Sequence, residues 1–297
     1  MDTRYLHTYV TIIDCGSMAE AGRRLDLTPA AIAAQIRSLE EFLGVDLLRR
    51  SGRTVCPTEA GLRTLEQAKT LLRGVRDLQA NASSDEPIGE LQLGASVTAL
   101  TGILPAILKN LFDIYPKLSL HIEPGTSSHL YHRVADGTLD AALIVEPHFE
   151  LPKSCAWSPL IDEELCVLAP AKLSGKNPIE LLRTYPFIRY DRAMWGGQLA
   201  DNYLKTHKIM PIERIEIDSL NAIASFVDQG LGVSLVPDCA TPWPTGMKLT
   251  KIKLPPPVPV RTIGLVWRTQ GPRVSLCQTM LDQATLLLGI KSKRKPK

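Results

Sequence analysis

The chain has no run of about 18 apolar residues, the length that crosses a bilayer core, and no early apolar stretch flanked like a secretory signal. These absences give a cytoplasmic protein with no membrane partner as the expectation. Its six cysteines, Cys15, Cys56, Cys155, Cys166, Cys239 and Cys277, include no C-x-x-C pair and no zinc spacing. Reduced, mostly buried thiols are therefore expected, with no structural metal. There is no G-x-S-x-G, no Walker A loop, no H-E-x-x-H and no complete G-x-G-x-x-G, so an enzyme reading lacks a catalytic constellation and no cofactor is expected. Excess charge is small as well: 34 Lys and Arg stand against 31 Asp and Glu, a net of +3. Residues 291–297 alone hold five positive charges and no acid, a basic tail whose simplest reading is a solvated end. Net charge is thus weak evidence for nucleic acid, and the position of individual arginines has to carry that argument.

What is present is length and apolar content. The 297 residues, 44% of them hydrophobic, leave room for more than one packed domain. The most informative stretch is 17–53. Ser17-Met18-Ala19-Glu20 has capping-box spacing and starts a helix at Met18. Asp26-Leu27 interrupts it, and Thr28-Pro29 restarts a helix, with threonine as N-cap and proline at the first position. The second helix has Ile32, Ile36, Leu39 and Leu43 on one apolar face and stops at Gly44. Its opposite side holds Ala30, Ala34 and Arg37, with Ala33 flanking and Thr28-Pro29 leading. Small residues let a helix lie close in a major groove and touch thymine methyls, and an arginine can take guanine or phosphate. A surface helix of an ordinary helical domain has the same pattern. The next segment, Asp46-Leu47-Leu48-Arg49-Arg50-Ser51-Gly52-Arg53-Thr54-Val55, reads as a two-stranded wing with its turn at Ser51-Gly52. Arg49, Arg50 and Arg53 supply three charges with no acid between them, as phosphate contact beside a groove-reading helix requires. Ser17, Thr28, Pro29, Ala30, Ala33, Ala34, Arg37, Arg49, Arg50 and Arg53 form the expected DNA-binding set.

These residues resemble the winged helix-turn-helix of LysR-type transcriptional regulators. The resemblance is carried by Gly16-Ser17, Ala21 and Leu25, by Ala31-Ile32, Gln35-Ile36 and Leu39-Glu40, and by Leu43-Gly44-Val45, Leu47-Leu48 and Thr58-Glu59-Ala60-Gly61. Members usually carry a serine-arginine pair where this chain has Ala33-Ala34, so operator preference does not carry over with the fold. The resemblance implies double-stranded operator DNA and a small-molecule effector as partners, self-association as a dimer or tetramer, and RNA polymerase as a further partner. In peroxide-sensing relatives a cysteine pair is the switch; Cys155 and Cys166 are the candidates here, against the plainer reading of packed thiols.

Taken in order, Leu6, Tyr9, Val10 and Ile13 mark a first helix under the motif, completing a winged helix-turn-helix domain over 1–57. Thr58 caps a long helix to about Gln79. Leu65, Ala68, Leu72 and Val75 recur on it at spacings of three and four, the seam of a coiled-coil pair, so 58–80 is expected to dimerise the protein on paired half-sites. Residues 81–88 are polar, end near Pro87 and read as a hinge. Beyond them strands and helices alternate in a mostly parallel α/β pattern over 89–290, with Pro147, Pro152 and Pro159 breaking the run before a strand at Leu165. The resemblance makes this a two-lobed, type 2 periplasmic-binding-protein-like effector domain, one lobe at about 89–162 and 262–290, the other at about 163–261. Leu104-Pro105, Tyr115-Pro116, Gly137-Thr138-Leu139-Asp140 and Gly230-Leu231-Gly232 with Pro237 match that pattern.

In open α/β sheets ligands sit at the carboxyl ends of strands beside helix N-termini. Ser96-Val97-Thr98 and Thr126-Ser127-Ser128 follow two such strands, and the resemblance puts the ligand pocket there. Arg189, Tyr190, Trp195 and Asp218 of the second lobe and Glu146 near the junction complete the expected effector site. Hydroxyls, one arginine and two aromatics suit a small organic acid, whereas Asp218 or Glu146 would select an amine-bearing compound such as an amino acid. His129 and His132 lie three apart on a helix but lack a third metal ligand, and Glu163 and Glu164 have no catalytic partner at a defined spacing. The leading expectation is an effector-responsive transcription regulator; a solute-binding module and an α/β enzyme are the alternatives.

Overall fold

The computed structural model describes residues 2–51, 54–82, 90–239 and 246–290. The chain divides into two compact units, 1–89 and 90–297.

The first unit runs α1 (Thr3–Cys15), α2 (Met18–Leu25), α3 (Pro29–Leu43), β1 (Leu48–Ser51), β2 (Thr54–Pro57) and α4 (Glu59–Ala82). Thr28 Oγ1 accepts the Ala31 N–H at 3.2 Å and opens α3, and left-handed Gly44 closes it. The capping box at α2 is only half made. Ser17 accepts the Glu20 N–H at 3.4 Å, but the Glu20 carboxylate turns away to Arg23, 2.5 Å, and Arg24, 3.5 Å. Leu6, Tyr9, Ile12, Ile32, Ile36, Leu39 and Leu47 form the core, and Tyr9 Oη donates to the Gly61 carbonyl at 2.7 Å. Gly61 is needed where α4 meets the wing, because a Cβ there would stand 2.2 Å from the Leu47 carbonyl oxygen.

The expected dimer seam on α4 needs correction. Ala68 and Leu72 are buried within this same core and Leu65 packs against it, while Val75 is half-buried. Leu65, Ala68 and Leu72 hold α4 against its own unit. Among the described residues, the outward apolar side chains of α4 are Leu62, Leu71 and Leu78, and the last two, 52% and 70% exposed, lie one heptad apart.

The second unit contains β3 (Glu90–Ala95), α5 (Val97–Thr101), α6 (Leu104–Ile114), β4 (Ser119–Pro124), α7 (Ser127–Ala135), β5 (Ala141–Val145), β6 (Cys155–Pro170), a 3-10 turn (Ala171–Leu173), α8 (Pro178–Thr184), β7 (Pro186–Tyr190), α9 (Trp195–Thr206), β8 (Ile212–Ile217), α10 (Leu220–Asp228), β9 (Ser234–Pro237), β10 (Leu249–Lys253), β11 (Val260–Arg268) and α11 (Val274–Leu287). The main sheet has the order β10-β6-β11-β5-β3-β4, with β9 also on β6, and β7-β8 form a separate parallel pair. Only β3-β4 and β3-β5 are parallel within the main sheet; β6, β9, β10 and β11 pair antiparallel. The sheet is therefore mixed rather than mostly parallel.

Two lobes follow from the cores. In the first, Leu143 and Leu265 face one cluster with Leu91, Ile107 and Met280, while their neighbours Ala142, Ile144 and Val266 face another with Leu130 and Trp157. A sheet covered on both faces reads as the unbroken apolar run of β5. In the second, alternate residues of β6 divide in the same way: Leu165, Val167 and Ala169 to one side, Cys166 and Leu168 to the other.

β6 is one 16-residue strand, and Pro159 does not break it. The proline sits opposite Gly264, where the β6-β11 register shifts, a bulge at which a missing N–H costs no ladder bond. Because β6 and β11 each contribute to both lobes, they are the crossing strands.

Candidate functional site

On α3, Thr28, Pro29, Ala30, Ala34 and Arg37 are exposed and Ala33 is half-buried. Ile32, Ile36 and Leu39 anchor the other side. The outward strip is thus small at its N-terminal end and basic at Arg37, which has no ion pair among the described residues. Ser17 is half-buried at the start of α2, and Arg49 is exposed on β1. The Arg50 side chain and all of Arg53 lie outside the described residues. One positioning residue was not legible in the sequence. The Glu40 carboxylate accepts the Leu47 and Leu48 N–H groups at 2.8 and 3.0 Å, clamping the wing to the end of α3.

In the second unit a cavity of about 360 Å³ opens between the lobes. Nine of the expected effector residues line it: Ser96, Val97, Thr98, Thr126, Ser127, Ser128, Tyr190, Trp195 and Asp218. The strands and helices explain the convergence. α5 and α7 begin directly after the carboxyl ends of β3 and β4, α9 begins at Trp195 after β7, and α10 begins at Leu220 after β8. Four helices start at the cavity wall. Gly197 permits the close approach at α9, since a Cβ there would stand 1.9 Å from the Asp191 carbonyl oxygen.

The hydroxyls have a common disposition. Thr126 Oγ1 accepts from the His129 N–H at 3.4 Å, Ser127 Oγ from Val145 at 3.0 Å and Ser219 Oγ from Ala222 at 3.3 Å. Each has a lone pair occupied and a proton left to donate. Ser96 Oγ makes no hydrogen bond although the residue is only 9% exposed. The cavity therefore offers donors to a ligand that accepts.

Two expected residues do not line it. Arg189 follows the two-residue alternation of β7, so with Tyr190 turned to the cavity, Arg189 points to the opposite face. There it pairs with Asp201 at 2.8 Å and with Glu213, and its carbon lies 5.4 Å from the Phe187 ring centroid. Glu146 likewise follows Val145, which lines the cavity, and it does not. The arginine at the wall is Arg261 of β11, 1% exposed and bound to Glu163 directly across the strand pair. Thr101, Met194, Ser219, Leu220, Asn221 and Cys239 also line the space without having been expected. Ser219 carries a local signal, an N-cap before an apolar helix; Arg261 carries none, because β11 arrives from far along the chain.

The cysteines do not form a switch between Cys155 and Cys166. Eleven residues along one continuous strand separate them by roughly 36 Å, against a Cα separation below about 7 Å in a disulfide. Burial pushes the Cys166 thiol up to about 12 and that of Cys239 up to about 11, so both stay protonated and poorly nucleophilic. His129 Nε2 lies 3.3 Å from Glu123, and the His132 ring packs against Tyr131. Among the described residues no group of three or more His, Cys, Asp or Glu could hold a metal, and no helix is long and apolar enough to cross a membrane.

A family profile described as the LysR substrate binding domain matches residues 84–286, and another, the bacterial regulatory helix-turn-helix protein of the lysR family, matches 3–62. The chain belongs to the LysR family of transcriptional regulators. Among its relatives, the HTH-type transcriptional activator IlvY of Salmonella typhimurium is 30% identical over 80% of this chain and 83% of its own. The HTH-type transcriptional regulator CzcR of Bacillus cereus is 28% identical over 81% of each. Among solved structures, a full-length OxyR variant from Pseudomonas aeruginosa covers 100% of this chain and 99% of its own, at a TM-score of 0.70 and 24% identity. Full-length CbnR complexed with its target DNA covers 96% of this chain and 100% of its own, at a TM-score of 0.70 and 22% identity. At these identities the structural likeness concerns the fold. As a member of the LysR family, this protein is a transcription regulator with a DNA-binding helix-turn-helix and an effector-binding domain.

Proposed function

We propose that this LysR-family regulator reads operator DNA with the outward strip of α3 and answers to a small organic acid held between the lobes of its second unit. Thr28, Pro29, Ala30, Ala33, Ala34 and Arg37 face the bases, while Ser17, Arg49, Arg50 and Arg53 serve phosphates. Alanines at 33 and 34 leave thymine methyl contact and close approach as the reading mode of the helix centre, with Arg37 the hydrogen-bonding side chain. The protein acts as a homo-oligomer whose α4 helices meet through Leu71 and Leu78, which suits paired half-sites.

The observation that carries the effector reading is the unpartnered hydroxyl of Ser96, buried in a cavity where Thr126, Ser127 and Ser219 also have protons to donate. The first-turn amides of α7 add N–H groups that have no intrahelical acceptor. A carboxylate answers that set. The test is a thermal-shift screen of small carboxylates on the full chain and on Ser96→Ala. Stabilisation of the parent that is lost in the variant supports the reading; equal stabilisation of both excludes Ser96 from the site.

A further inference from the structure

We infer that the compound bound in this cavity is an aminocarboxylate of amino-acid size, and that Asp218 is the residue selecting its positive end. The inference rests on the effector reading above and narrows it.

The charges at the wall decide the matter. Two residues there are charged at neutral pH, Asp218 and Arg261. Arg261 is buried against Glu163, its Nε donating to Oε2 at 2.8 Å, and the pair presents no net charge to a ligand. Asp218 is different. It is exposed, stands just before the N-cap of α10, and has no hydrogen bond or ion pair among the described residues. The nearby cation Arg192 is already held by Glu216, at 2.9 and 2.7 Å. The second lobe therefore brings one uncompensated negative charge to a cavity whose first lobe supplies the donors of Ser96, Thr126 and Ser127.

A ligand bearing only carboxylates would leave Asp218 beside like charge, or with nothing to bind. An amine alone would leave the buried Ser96 hydroxyl without an acceptor, the costly condition for a buried polar group. A molecule with both groups satisfies both walls. The rings of Trp195 and Tyr190, which also line the space, favour a cation at their faces. A volume of about 360 Å³ lies at the small end of ligand sites, ample for a single amino acid, aromatic ones included.

The test uses calorimetry and thermal shift on the full chain with the twenty standard amino acids. The deaminated acids and decarboxylated amines of leucine and phenylalanine, 4-methylpentanoate, 3-phenylpropanoate, isopentylamine and 2-phenylethylamine, complete the panel. At least one amino acid is expected to bind, more tightly than every compound lacking either group. Asp218→Asn is expected to weaken that amino acid about tenfold or more, as loss of a charged hydrogen bond does, while sparing the deaminated acids. Ser96→Ala is expected to weaken amino acids and acids together. Deaminated acids binding as tightly as any amino acid, in the parent and in Asp218→Asn alike, would overturn this inference and leave the organic-acid reading standing. Absence of binding by every carboxylate in the panel would overturn both.

Discussion

Arg261 Nε donates to Glu163 Oε2 at 2.8 Å across directly paired positions of β11 and β6, at the wall of the interlobe cavity. Both partners are buried, so each is the condition for the other's charge, and the arginine that faces the cavity is withheld from its ligand. Removing one partner of such a pair costs about 3–5 kcal/mol. Glu163→Gln should therefore lower Tm and leave a guanidinium beside the cavity in want of an anion. Added 3-phenylpropanoate should then raise Tm more in the variant than in the parent. An equal rise in both would mean that the freed arginine does not reach the ligand.

The two sides of α4 make opposite predictions. Leu71→Asp and Leu78→Asp place charge on the exposed side and should dissociate the oligomer in sedimentation without loss of helical signal. Leu72→Asp places charge in the core, at a residue 8% exposed, and should unfold the first unit instead. Dissociation by Leu72→Asp with a folded monomer, and none by the exposed pair, would reverse the assignment.

On the DNA side, Arg49→Ala should weaken binding to all sequences alike and reduce the salt slope by about one. Arg37→Ala should change which fragments are selected. An Arg37→Ala protein that selects the parent's fragments would remove α3 from base reading.

Acid behaviour follows from the β7-β8 edge. Hydrogen bonds from the Arg192 side chain and then its N–H hold the Glu216 carboxyl down at about 2, and the bond from Arg189 lowers Glu213. An unfolded glutamate titrates near about 4.3. The folded protein thus binds fewer protons in the window between these values, and the stabilisation is complete above about pH 4.3 and lost as pH falls toward 2. Glu216→Gln should flatten the decline of Tm across that window while changing Tm little at pH 7, since an exposed pair is worth little there. An unaltered acid limb would show that the pair does not survive in solution.

Much of this architecture was legible because local chemistry and tertiary packing agree. Thr28-Pro29 opens α3 and Gly44 ends it by capping alone, and the hydroxyl runs at 96–98 and 126–128 sit at the cavity because βα turns place them at the carboxyl ends of strands. The misreadings arise where one pattern serves two purposes. The stripe at Leu65, Ala68 and Leu72 has the same spacing whether it faces a partner or its own core, and the core takes it. Arg189 was expected beside Tyr190, yet neighbours on a strand face opposite ways. Pro159 reads as a break until Gly264 is seen opposite it at a bulge, and Arg261 reaches the cavity on a strand whose sequence gives no sign of its neighbours.

Control of DNA binding by cavity occupancy can be read from the affinity for a DNA fragment selected by the purified full chain, with and without the compound that most raises Tm. The compound should change affinity or bending severalfold in the parent and have no effect at the same concentration in Ser96→Ala. A compound that binds the cavity of the parent tightly and leaves both affinity and bending unchanged would contradict that control.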